Sequence, residues 1–151
     1  MQTTIIPYLY QERILQAKKE NSKGILVAGT GAGKSNVMGW NIKERMLAGD
    51  SVIVVVAPRI LLAQQLFKTI DERVGKNPKF QHCFVYSGEA IKRQEKELTS
   101  EQILDVRFST TSVHDIQAEK ERADRNNVPL ILVTTYHSLD RDWETNIQNL
   151  F

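Results

Sequence analysis

The chain has 151 residues, with 20 Lys and Arg against 18 Asp and Glu and a formal net charge of +2, so length sets a prior of one domain and composition points to no charged partner. Hydrophobic residues at 41% and charged residues at 25% exclude the low-apolar, high-charge corner of disordered chains; a chain of this size buries roughly two-thirds of its unfolded surface without staples. The single Cys83 excludes an internal disulfide and fits a reducing, intracellular compartment, and with no apolar run of about 18 residues and no basic n-region in MQTTIIPYLYQERIL, neither a membrane span nor a secretory signal is expected.

Five short apolar runs are bounded by turn residues: 24–28 (GILVA), 51–57 (SVIVVVA), 82–86 (HCFVY), 106–110 (VRFST) and 130–134 (LILVT). Continuous rather than alternating hydrophobicity is the pattern of strands covered on both faces. The segments between them carry helical spacing and are too long for hairpins, which predicts an α/β fold with a mostly parallel sheet and helices on both faces. The helix after the first run is predicted from Lys34 to near Leu47, with Gly49 as its cap, and the next from Ile60 to Val74, ended by Gly75 and Pro78. Residues 89–101 mix both charge signs and read as a solvated helix face. Ser112, followed three residues later by Asp115, resembles a capping box opening a helix from Val113 to about Asn126.

Directly after the first run stands Ala28-Gly29-Thr30-Gly31-Ala32-Gly33-Lys34-Ser35, which fits the phosphate-loop pattern except that Ala28 takes the place of the first Gly. Glycines let backbone N–H groups turn inward as an anion nest, and the following helix adds its positive end. Lys34 supplies a point charge for the β- and γ-phosphates and Ser35 a hydroxyl for Mg²⁺, the two catalytic candidates. Small residues also make tight strand-to-helix turns that hold no ligand.

In open α/β sheets ligands meet the carboxyl ends of the strands. The second run ends in Ala57-Pro58-Arg59-Ile60-Leu61-Leu62-Ala63-Gln64, the third leads into Ser87-Gly88, the fourth into Thr111-Ser112, and the fifth into Thr134-Thr135-Tyr136-His137-Ser138-Leu139. Hydroxyls, free N–H groups and one Arg are the groups that grip a phosphodiester backbone without reading bases. Each Ser or Thr alone is equally read as a helix cap. Arg59 is not needed as a cap and makes a better phosphate fork.

The order AGTGAGKS, APRILLAQ, Ser-Gly and VTTYHSL resembles the first motor domain of superfamily 2 helicases and translocases, especially restriction-enzyme-like and phage members, over almost the whole chain. The resemblance implies a RecA-like P-loop NTPase domain that uses ATP and Mg²⁺, with residues 1–151 as a partial helicase ATP-binding domain. It makes Gly29, Thr30, Gly31, Ala32, Gly33, Lys34 and Ser35 the nucleotide-binding motif I. It makes APRILLAQ motif Ia, with Arg59 and Gln64 near the nucleic-acid backbone, and places Thr134, Thr135 and Ser138 in a further strand-contacting motif. Tyr10-Gln11 is similar to the Tyr-Gln pair that holds adenine, so Gln11 is the adenine candidate, although Tyr8 stands where an Arg often precedes the pair. The Thr-Thr-Tyr-x-Ser-Leu form looks more like DNA translocases than RNA helicases, which puts DNA ahead of RNA as partner.

A phosphate-loop ATPase also needs an acid after a hydrophobic strand to hold Mg²⁺. None of the five predicted strands ends in Asp or Glu, and Asp140 and Asp142 lack a preceding apolar strand. In the resembled family an Asp-Glu-x-His motif follows soon after the Thr-Thr-Tyr-x-Ser-Leu segment, and a second motor domain carries the arginine finger. The expectation is an amino-terminal piece of a larger motor, lacking its carboxy-terminal partner domain, that binds nucleotide and hydrolyses it poorly by itself. Two alternatives stand beside it: a non-hydrolysing binding module or split subunit, and a small kinase. The kinase would need an Arg-rich lid, whereas Arg122 and Arg125 fall on a predicted helix with acidic neighbours. His82, His114 and His137 lack metal-ligand spacing. Cys83 reads as a buried inert thiol, Trp40 as core, and Trp143 as a surface near the end of the sequence.

Overall fold

Three of the five apolar runs form strands: β1 Val52–Ala57, β2 Gln81–Val85 and β3 Leu130–Thr135. The structure, a computed structural model, describes residues 5–100 and 109–142. All three strands pair in parallel in the order β1-β3-β2. Val52 lies opposite Leu130 and Ala57 opposite Thr135; on the other side Gln81 lies opposite Leu130 and Val85 opposite Thr134. Every residue of the central β3 is buried, which is why its first four residues are apolar without alternation.

The helices are α1 Leu9–Glu20, α2 Lys34–Leu47, α3 Ile60–Val74, α4 Gly88–Gln94, α5 Val113–Arg125 and α6 Tyr136–Asp142, with a 3₁₀ turn at Glu95–Glu97 after α4. Their ends follow local chemistry. Beyond α2, Gly49 at φ 99° sends its N–H to the Met46 carbonyl (3.1 Å) while Asp50 N–H reaches that of Arg45 (3.1 Å), the paired bonds that satisfy the last orphan carbonyls of a helix. At the start of α5 the Ser112 hydroxyl accepts from Asp115 N–H (3.4 Å).

Alternate residues of the strands feed two cores. Val55, Ala57, Phe84, Tyr86, Ile131 and Val133 face Ile60, Ala63, Ile70 and Val74 of α3, with Ile42 and Met46 of α2 behind them. Cys83, Val85, Leu130 and Leu132 face Ile116 and Ala123 of α5. Helices thus cover both faces, the expected three-layer arrangement. No helix among the described residues is long and apolar enough to cross a membrane.

Two expected strands differ. Residues 24–28 are not a strand: Ile25 is 93% and Val27 89% exposed. An apolar run supplies the side chains of a buried strand, but its N–H and C=O groups also need a neighbour, and among the described residues β1 is paired on its β3 side alone. The expected strand at 106–110 lies outside the described residues as far as 108. Ser109 and Thr110 are not strand, although Thr110 N–H donates to Phe84 O (3.0 Å) along the edge of β2.

With its preceding segment outside the sheet, α2 is held by its neighbours. An added Cβ on Gly39 would lie 2.8 Å from Cβ and Cγ of Arg73, so the glycine is what lets α3 approach. Arg73 Nε donates to Asn36 Oδ1 (2.9 Å), and its guanidinium sits 6.0 Å from the Trp40 ring centre. On the other side Lys19 of α1 pairs with Glu44 (3.0 Å).

Candidate nucleotide and nucleic-acid sites

The loop of residues 28–35 turns on two left-handed glycines, Gly31 at φ 77° and Gly33 at φ 72°. Gly33 precedes the first residue of α2 and is fixed twice over: its φ suits glycine, and a Cβ there would lie 2.6 Å from Nε2 of Gln11. Lys34 and Ser35 are the first two residues of α2, both exposed, where unpaired N–H groups and the helix dipole favour an anion. The Lys34 ammonium donates to the carbonyls of Ala28 and Gly29, both at 2.9 Å. A cationic side chain, a hydroxyl, left-handed glycines and a helix start are the donor set that a magnesium-bound triphosphate requires, so the residues present fit that group.

Gln11 is 2% exposed, and both ends of its amide are engaged. Oε1 accepts from Tyr8 N–H (2.9 Å) at the start of α1, and Nε2 donates to the Ala32 carbonyl (3.3 Å). The Tyr10 hydroxyl donates to the same carbonyl (2.7 Å), and its ring stacks on Tyr8 with centroids 5.9 Å apart. The Tyr-Gln pair thus braces the phosphate loop from behind. The local sequence around Tyr10 and Gln11 carries no sign of this strut, which spans more than twenty residues.

The second group gathers at the carboxyl edge of the sheet. Thr134, Thr135, Ser138, Ser87 and Gln64 are all buried, and they bond to one another, to backbone or to Tyr86. Thr134 Oγ1 donates to Val85 O (2.8 Å), Thr135 Oγ1 pairs with Ser138 Oγ (3.2 Å), and Ser138 Oγ accepts from Ser87 N–H (3.4 Å). Ser87 caps α4 by accepting from Ala90 N–H (3.1 Å), and Gln64 Nε2 donates to Tyr86 Oη (3.3 Å). The side chains of these five face inward. Arg59 and Gly88 are exposed, and Thr111 is half-buried ahead of α5. Two residues missed by the sequence complete the network: Tyr86, and Gln94, whose Oε1 accepts from Ile60 N–H (2.9 Å). Neither bond has a local signature.

The two groups are not neighbours. Asn36, next to Ser35, touches Arg73 near the end of α3, whereas Arg59 precedes its first residue. Fourteen residues of helix separate them by about 21 Å. The reason is again residues 24–28: outside the ladder, they do not carry the loop to the strand ends. Asp140 and Asp142 lie on α6, not after a strand, and Trp143 lies outside the described residues.

A cavity of ≈ 610 Å³ lies elsewhere, between the edge of β2 and α5, and none of the expected site residues lines it. Cys83 on its wall is buried; burial first, then the negative charges of Glu119 and Asp115, push its thiol up to about 12. Among the described residues no group of His, Cys, Asp and Glu is placed to hold a metal ion.

A glycine-turned loop opening a helix and a parallel sheet covered on both faces are parts of a P-loop NTPase domain of the RecA-like type. The DEAD/DEAH box helicase family model matches residues 2–149, nearly the whole chain, and the chain belongs to that family. That makes it an ATP-binding domain of superfamily 2, a class of nucleic-acid-dependent ATPases that work with ATP and Mg²⁺. No curated protein and no solved structure matches it.

Proposed function

We propose that this chain is the nucleotide-binding part of a DNA helicase or translocase, in which residues 28–35 hold the triphosphate and the carboxyl edge of the sheet follows a nucleic-acid backbone. One observation carries the reading: Lys34 and Ser35 open α2 directly after left-handed Gly33, in a chain matched by the helicase family from residue 2 to 149. Gly29, Thr30, Gly31, Ala32 and Gly33 offer backbone N–H groups to the phosphates, Lys34 turns its ammonium from the carbonyls of Ala28 and Gly29 to the phosphate oxygens, and the Ser35 hydroxyl is the ligand for Mg²⁺. Bound Mg²⁺ supplies the divalent charge that neutralises the β- and γ-phosphate oxygens. Gln11 is the proposed adenine contact; because its amide also reaches Ala32, base binding would be felt by the loop.

At the sheet edge Arg59 is the proposed phosphate fork, Gly88 and Thr111 offer further contacts, and the buried Gln64, Ser87, Thr134, Thr135 and Ser138 act as the frame that holds them. DNA is preferred over RNA on the Thr-Thr-Tyr-x-Ser-Leu pattern. None of the three described strands ends in a carboxylate, which supports poor hydrolysis by this chain alone and keeps a second reading, a binding module that grips Mg·ATP without turnover.

The test is an ATP titration and a phosphate-release assay on the 151-residue chain, with and without single-stranded DNA. Lys34→Ala should weaken ATP binding by about tenfold or more, the loss of a charge-assisted contact; unchanged affinity would sink the phosphate-loop assignment. DNA-stimulated, Lys34-dependent turnover would overturn the non-hydrolysing reading.

A further inference from the structure

Arg59 occupies the position before the first residue of α3 with extended backbone, φ −138° and ψ 154°, and its side chain makes no cap bond. That position favours Ser, Thr, Asp or Asn, whose oxygens satisfy the free N–H groups of the first turn. A guanidinium has no acceptor to offer those N–H groups. Ile60 next to it is fully buried, so water cannot serve its N–H. The acceptor comes instead from Gln94, at the last residue of α4 and 34 positions away, at 2.9 Å.

The other end of α4 is tied as well. Its cap residue Ser87 gives its N–H to Ser138 of α6, the helix directly after β3, and Gln64 of α3 reaches Tyr86 just before it. In between, Ala90 is buried in the core shared with α3. The short helix therefore spans the exits of all three strands, with one polar tie at each end.

We infer that Gln94 is a positioning residue: as a long-range cap on α3 it fixes the backbone that carries Arg59, and α4 makes the three strand exits one rigid grip on a phosphodiester backbone. The inference rests on the proposed nucleic-acid role of Arg59 and deepens it. Gln94 itself does not contact the nucleic acid.

The experiment is a thermodynamic cycle, read as binding of a fluorescein-labelled single-stranded oligodeoxynucleotide across a salt series. Gln94→Met removes the acceptor at similar volume; Gln94→Glu keeps it. Arg59→Ala should weaken binding of the wild-type chain about fivefold or more and reduce the salt slope by about one. It should do the same in the Gln94→Glu chain, whatever that variant's own affinity, and cost almost nothing in the Gln94→Met chain, where the guanidinium is no longer held. ATP affinity should stay unchanged in the two Gln94 variants. If Arg59→Ala costs as much in the Gln94→Met chain as in wild type, the positioning role is overturned and the role of Arg59 stands. If Arg59→Ala leaves wild-type binding unchanged, or the wild-type chain does not bind the oligonucleotide, both fall together. Should Gln94→Met not fold, as judged by its circular dichroism, the Gln94→Glu chain decides: loss of the Arg59 effect there, with the acceptor retained, overturns the inference.

Discussion

At the scale of single residues, side chains chosen by motif divide into those that face solvent and those spent on one another. Lys34, Ser35 and Arg59 are exposed, while Thr135 and Ser138 are locked in mutual hydrogen bonds. The sequence could not separate them, because hydroxyls at strand ends serve a cap, a frame or a phosphate equally well. Cys83 was legible as a buried thiol within an apolar run. With its thiol held at about 12 against an ordinary 9.0, the native chain should resist iodoacetamide at pH 8 and react fully once unfolded by urea, as intact mass will record. Rapid native alkylation would contradict its placement. The sign for stability follows from linkage. Below 9.0 both states carry the proton and pH has no effect through this group; between 9.0 and about 12 the unfolded thiol has ionised while the folded one has not, so folding weakens as pH rises.

At the scale of elements, helix boundaries were the most legible feature, because Gly49, Gly75 and Ser112 are local signals acting over four residues or fewer. The strand at 24–28 was not, since a strand exists only through a partner that its own residues do not specify. The packing of α2 on α3 was equally hidden. Gly39 sits mid-helix, where alanine would ordinarily be favoured by about 1 kcal/mol; here the new methyl would meet Arg73 at 2.8 Å, and overpacking costs about 1–3 kcal/mol. Gly39→Ala should therefore lower stability in urea unfolding. A stabilised variant would show that the two helices have room to part.

For the whole molecule, two residues of the same character predict opposite outcomes. Ile131, fully buried in the centre of β3, should cost about 2–5 kcal/mol when cut to alanine. Val27, 89% exposed, should tolerate serine within about 0.5 kcal/mol. Guanidinium denaturation of the two variants compares them directly, and a large loss at Val27 would mean that residues 24–28 are built into the sheet after all. The layered α/β plan was readable from alternating apolar runs and helical segments. The distance between loop and strand ends was not, since it depends on which runs find neighbours.

Trp40 gives that arrangement a practical use. The indole lies on the helix opened by Lys34 and under the guanidinium of Arg73 on α3, where a nearby cation perturbs its ring electronically. The chain has only two tryptophans, so with Trp143 replaced by phenylalanine its ultraviolet emission comes from this ring alone. The contact between the phosphate-loop helix and its neighbour then serves as an intrinsic optical gauge, sensitive to small slippage without any attached dye.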